Sequence, residues 1–434
     1  MAPHPDPGLP STAQMLRELA PTHPGPFVLS HLGDKLKAPT SDWHGKHTTA
    51  FRLIAPENSS HRSLLPSLKV IHEQSCPICY PSKTSSQNIN TQVIKRLRFE
   101  RSEVPNFRTS NDSSLLNHPE GSFWLPLAKL LRSDLADPAR EYPSRERRTT
   151  RHPGYVDSAA AIPGSSSPRR PPSSAYSGSN ASFPLDDDQN ENRAQKPEPL
   201  VVDLTQSLFR LCLHSCLNQT NPTTQYSSRL QSHVSKPLIA GANVVVGADD
   251  GGICGMRLKS SSWINTHNVL VMSECKRAFQ NLHFDDGTQK YTPILTPKAL
   301  AQLFGEAVLA WKENASLVED GIYSTVTSGT YIRLFHFTFG DRYAQYLEAE
   351  DEKNQLDLVQ RYPDDTCAYV SSTRWFDLDD PGDTITTICL LLARLRLYET
   401  GIGQGLPADQ FDADTVEPMD TSYSDEDSEC ASEM

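Results

Sequence analysis

Glu274 and Lys276 close an apolar strand, VLVMSECKR, that runs from Val269 to Arg277. Alternate residues of a strand share a face, so this carboxylate and ammonium project together on the line of Leu270 and Met272. Val269, Val271, Ser273 and Cys275 point the other way. A strand apolar on both faces reads as an interior strand covered on both sides, and its C-terminal end is where open α/β sheets place their chemistry. The pair suits phosphodiester hydrolysis. Glu274 would hold a hard divalent cation such as Mg2+, the backbone carbonyl of Cys275 offers a further oxygen, and Lys276 orients or deprotonates the attacking water and offsets developing negative charge. A second carboxylate is needed, and Asp249 and Asp250 lie 25 and 24 residues before Glu274. Aspartate before Gly251-Gly252 is equally ordinary turn chemistry, and a Glu–Lys pair also serves as a cross-strand ion pair at a sheet edge.

The elements that must position these residues run from 200 to 400. A helix is expected over DLTQSLFRLCLHSC, with Asp203 or Thr205 as cap and Leu204, Leu208, Leu211 and Leu213 on its apolar faces. Strands follow at 243–247 and 253–259, then the strand that carries Glu274. A loop over 279–295 leads to Thr296-Pro297, an N-cap and first helical residue. The next helix sets Leu300, Leu303, Phe304, Ala307, Val308 and Trp311 on one stripe. At 100° per residue Gln302 and Glu306 fall nearly opposite that stripe, which puts them toward solvent. Strands at 322–327 and 330–339 meet at Ser328-Gly329 as in a hairpin. A strand at 367–371 precedes a last helix over 383–398, with Ile385, Ile388, Cys389, Leu392 and Leu395 inward.

This order, with SECKR on the central strand, KALAQLFGEAVLAW on the following helix and IYSTVTSGTYIRLFHF on the next strand pair, resembles the PD-(D/E)xK nuclease-like superfamily, especially its uncharacterised fungal members. The resemblance spans residues 200–339 and reaches back to EGSFWLPLAKLL at Glu120. It implies an α/β restriction-endonuclease-like core, α-β-β-β-α-β, with a mixed central sheet. It further implies Glu274 as a metal ligand, Lys276 as the catalytic lysine, Gln302 near the site, Mg2+ as cofactor and nucleic acid as substrate. Relatives carry an aspartate in the strand before E-x-K, in a segment like G-x-x-D. The most natural match here, GICG, puts Gly255 at that place, so Asp249 or Asp250 would have to substitute. The alternative is a degenerate nuclease fold kept as a nucleic-acid or protein interaction module. A kinase reading of Lys276 fails because no H-R-D, D-F-G or glycine-rich loop accompanies it.

Composition limits what surrounds this domain. Proline contributes 33 of 434 residues and hydrophobic residues 37%. Residues 137–199, rich in Pro, Ser and Arg, lack the aliphatic side chains to offset the entropy of ordering and read as a disordered linker. The basic runs RERRTTR and Arg169-Arg170 fall within it. Residues 401–434 read as a disordered tail whose last 26 residues supply −10 of the formal −12 charge, so the core is close to neutral. Residues 1–136 form a mixed, partly helical region that packs on the core, with helix candidates at 12–19 and 123–131. The opening MAPHPDPGLP has no secretory pattern and no apolar run is long enough for a bilayer, so a soluble, intracellular protein without a membrane partner is expected. Nine cysteines, an odd number, fit reduced thiols. Cys76-Pro77-Ile78-Cys79, with His72 upstream, looks like half of a zinc site. Cys212, His214 and Cys216 are the candidates for its other half, but they sit in an apolar helix, and the balance falls against zinc.

Overall fold

The computed structural model describes residues 9–18, 27–56, 63–80, 89–99, 108–132, 197–276, 282–285, 290–315, 317–318 and 320–402. The expected linker and acidic tail lie almost wholly outside these residues. At the centre is a mixed sheet built from β1 (Leu53–Ile54), β2 (Thr224–Arg229), β3 (Gly252–Lys259), β4 (Ser262–Lys276), β5 (Ile322–Ser328), β6 (Tyr331–Phe339), β7 (Ala368–Ser372) and β8 (Phe376–Asp377). Their order is β1-β7-β6-β5-β4-β3-β2, with β8 paired to β6 beside that path. β4 runs parallel to β5 and β1 parallel to β7; the remaining neighbours are antiparallel.

Helices cover both faces, which is why β4 and β5 are apolar on both sides. On one face α1 (Pro66–Ser75), α2 (Gly121–Leu131), α3 (Glu198–Arg210) and α5 (Pro381–Ile402) share a core with Val271, Cys275, Tyr323 and Leu334. On the other, α4 (Pro297–Asn314) packs with Trp43 and Phe51 of the N-terminal region against Met272, Ile322, Val326 and Phe337. The N-terminal region is therefore part of the same body, and β1 pairs directly with β7. Among the described residues no helix is long and apolar enough to cross a membrane.

Local signals explain most of these elements. The Thr296 hydroxyl accepts the N–H of Ala299 at 3.1 Å and Pro297 opens α4, as the Thr-Pro pair predicts. Lys259 pairs with Ser262, so β3 and β4 meet in a two-residue turn in which Ser260 and Ser261 take φ of 47° and 69°. That backbone matches the twist of the flanking strands. β5 and β6 also meet in a two-residue turn, Gly329-Thr330, in which Gly329 takes a φ of 59°, close to the expected position.

Three expectations are corrected. The first strand after α3 is β2, TQYSSR, whose polar sequence carries no strand signal; as an edge strand it needs only one apolar partner surface. The run at 243–247 instead forms two-residue pairings off the main sheet, Asn243–Val244 with Leu238–Ile239 and Gly247–Ala248 with Val234–Ser235. The shared line of Leu270 and Met272 is also broken. Leu270 packs with the α3 and α5 layer and Val269 with the α4 layer. Ile253 faces Val271 and Gly255 faces His267, so β4 carries extra residues there and its alternation resets. From Val271 to Lys276 the alternation holds. The third correction concerns α4, which is buried at every residue from Leu303 to Ala310 against the sheet and the N-terminal region, so a single apolar stripe understates its burial.

Candidate active site

The end of β4 gathers the charged side chains. Glu274 is 2% exposed and forms an ion pair with Lys276 through Oε1. Both project toward α4, whose Gln302 links them: its Oε1 accepts from Lys276 Nζ at 2.9 Å and its Nε2 donates to Glu274 Oε1 at 2.8 Å. The same Nε2 donates to Glu306 Oε1 at 2.9 Å, one helical turn further on. Gln302 is half-buried and Glu306 is 2% exposed, so neither faces open solvent as the helical wheel suggested. Glu306 is the residue that sequence reasoning missed, and its signal was the i, i+4 spacing from Gln302 on a face that the sheet covers.

The two upstream aspartates part company. Asp249 is engaged on every side: Arg229 donates Nη1 to its Oδ1 at 2.8 Å and Nη2 to its Oδ2 at 2.5 Å, and the N–H groups of His233 and Gly251 donate to Oδ1. It is a buried brace between the turn and β2. Asp250 turns toward β4, where its Oδ2 accepts the N–H of Cys275 at 2.8 Å. The turn is anchored beside it, with Asp250 N–H donating to Ser273 O at 2.8 Å and Ser273 N–H to Gly251 O at 3.0 Å. Gly251 and Gly252 take φ of +120° and +154°, and a Cβ on Gly252 would stand 2.0 Å from the carbonyl oxygen of Val271. Only glycine lets the chain pass so close.

Gly255 is not at this site. β3 runs antiparallel to β4, so the part of β3 beside the C-terminal end of β4 is its beginning, and Gly255 lies opposite His267 at the far side. A carboxylate does reach this end of β4 from just before β3, that of Asp250. Cys275 turns its N–H to the Asp250 edge, and the two-residue alternation of a strand sends its carbonyl to the same edge. Its thiol faces the opposite layer, 3.5 Å from Thr205 Oγ1, and burial pushes it up to about 12.

The electrostatics follow from crowding acids in a buried place. Burial raises Glu274 to about 7, against the pull of Lys276 and with a further push from Asp250. Burial, then the Glu274 charge, lifts Glu306 well above the carboxylate range. Asp250 is raised as well, mainly by burial and against the N–H of Cys275. Burial works against a charged Lys276, but Glu274, Glu306 and Asp250 together outweigh it and hold the ammonium above its ordinary value. Oε2 of Glu274 and Oε2 of Glu306 are buried and find no donor among the described residues. Such orphaned acceptors call for a proton or a cation. The side-chain and backbone donors at this end of β4 are all oxygen, the kind of donor that hard dications take. The sequence matches no known family model and no curated protein.

A second cluster lies in the other helical layer. His72, Cys76, Cys79 and Cys389 bring four ligand atoms within 4.8 Å of one another. The residue that joins His72 and the Cys-x-x-Cys pair is thus a cysteine of α5, in place of the expected Cys212, His214 and Cys216. Cys212 and Cys216 are core residues in the helical turn that continues α3, and burial raises both thiols. The expected balance fell against zinc, and this cluster leans the other way.

Proposed function

We propose that this chain is a metal-dependent nuclease of the PD-(D/E)xK nuclease-like superfamily, with its site at the C-terminal end of β4. The observation that carries the reading is the convergence of Asp250, Glu274, Lys276 and Gln302 on one strand end. The order α3, β2, β3, β4, α4, β5 supports it, being the α-β-β-β-α-β succession that the resemblance implies. Asp250, Glu274 and the Cys275 carbonyl would hold Mg2+, which when bound stabilises charge on the phosphoryl oxygens and makes a water more acidic.

Each side chain then has a distinct part. Lys276, held charged by Glu274, offers an ammonium to the phosphate and offsets negative charge as it develops, a part that needs no proton removal from the lysine. Gln302 fixes the Lys276 Nζ through its carbonyl and Glu274 through its amide, so that both keep one orientation. Burial and the Glu274 charge push the Glu306 carboxyl upward, which favours its neutral form beside Glu274.

The test is cleavage of plasmid DNA and single-stranded RNA with Mg2+ or Mn2+, comparing wild type with Lys276→Ala. Loss of cutting in the variant supports the reading, and equal cutting by both proteins identifies a contaminant and sinks it. A wild-type protein that binds the cation and nucleic acid but cuts neither substrate is the binding module instead.

A further inference from the structure

We propose that His72, Cys76, Cys79 and Cys389 form a structural Zn2+ site that clips the N-terminal region to the last helix of the fold. It is independent of the nuclease reading and lies on the opposite face of the sheet from Glu274.

The local chain builds half of the site. His72 sits in the last turn of α1, which closes with Cys76 N–H donating to the His72 carbonyl at 3.0 Å. Tyr80 N–H then donates to the Cys76 carbonyl at 2.9 Å, so Cys76 to Cys79 is a tight turn that aims both sulfurs one way. Cys389 arrives from 310 positions beyond Cys79. It is fixed in the core by the inward face of α5, with Ile385, Ile388 and Leu392 in the same cluster as Cys76.

The geometry suits zinc. Cys79 Sγ and Cys389 Sγ are 3.9 Å apart, far beyond a disulfide bond. With Zn–S bonds near 2.3 Å, a tetrahedral site spaces its sulfurs ~3.8 Å apart. Three sulfurs and one imidazole are soft and borderline ligands, which select zinc over magnesium or calcium. Four protein ligands leave no open position, so the site is structural. A further observation points to a ligand: His72 Nδ1 is buried without a hydrogen-bond partner among the described residues.

The bland reading is a set of reduced core cysteines. It accounts for Cys76 and Cys389, which are buried, but not for Cys79, which is exposed yet turned onto the same point as His72.

The experiment is elemental analysis of the full-length chain purified with reductant and added zinc, followed by cobalt substitution. About one zinc per chain is expected, with thiolate-to-cobalt charge-transfer bands in the substituted protein. Cys79→Ser, at an exposed position that the core does not need, should lower zinc content and weaken those bands, and Cys389→Ser should do the same. Cys212→Ser should keep the zinc. Chelation should lower Tm in wild type and leave Tm of Cys79→Ser nearly unchanged. A folded wild-type protein without zinc and without cobalt–thiolate bands overturns the proposal. So does full zinc content in Cys79→Ser, or a Cys79–Cys389 disulfide in the reduced preparation.

Discussion

Asp250 Oδ2 accepts the backbone N–H of Cys275 at 2.8 Å, which ties the residue ahead of β3 to the last residues of β4. Its neighbour Asp249 points the opposite way, into Arg229. Two adjacent aspartates thus serve two separate ends, one at the candidate site and one in the frame that holds it.

Substitution should separate them. Asp249→Asn is expected to destabilise the fold by about 3–5 kcal/mol, because it leaves the guanidinium of Arg229 buried without its counter-charge. Asp250→Asn is expected to keep the fold and lose the Mg2+-dependent rise in Tm. Urea unfolding and cation titration of the two variants check this, and the opposite ranking would refute the assignment.

Gln302 is a positioning residue. Gln302→Leu should fold, since the position is only half-buried, and lower the cleavage rate by about 10²-fold through misplacement of Lys276 and Glu274. The loss should fall on kcat with KM little changed. A variant that cleaves at the wild-type rate removes Gln302 from the machinery.

Stability should depend on pH with a definite sign. Burial holds Glu274 at about 7 in the fold against 4.5 ordinarily. A carboxyl raised in the folded state keeps its proton longer than the unfolded chain does. Its stabilising share is full below about 4.5 and is lost as the pH rises through about 7. Asp250 and Glu306 shift in the same direction. In the absence of divalent cations Tm should therefore fall between these two values, and less steeply in Glu274→Gln. An equally steep fall in that variant would count against the account.

Gly252 permits the close passage of β3 past β4. Gly252→Ala combines a φ of +154° with a Cβ 2.0 Å from the Val271 carbonyl, and should cost at least about 1 kcal/mol and displace Asp250. Gly45→Ala, where an added Cβ meets nothing within 4 Å, is the control and should be neutral or mildly stabilising. Equal stability of the two variants, read by thermal unfolding, would show that the turn can relax.

Much of the fold is written in local patterns. The apolar run that ends at Glu274 and Lys276, the Thr296-Pro297 cap, the stripe of α4 and the hairpin of β5 and β6 all depend on neighbours within a few residues, and each of them formed. The same locality explains what went unread. β2 is polar because an edge strand borrows its stability from β3, and Glu306 looked exposed because a helical wheel does not know that the sheet and the N-terminal region close over the middle of α4.

The strand with its glutamate and lysine follows from the order of residues alone, since alternation in a strand is a property of the chain. Which carboxylate joins them does not. The antiparallel register of β3 carries Gly255 away and leaves Asp250 beside Cys275, and the packing of α1 on α5 brings Cys389 to His72, Cys76 and Cys79. Both outcomes depend on contacts between residues far apart in the sequence, and such contacts are set by how the layers bury their apolar faces together.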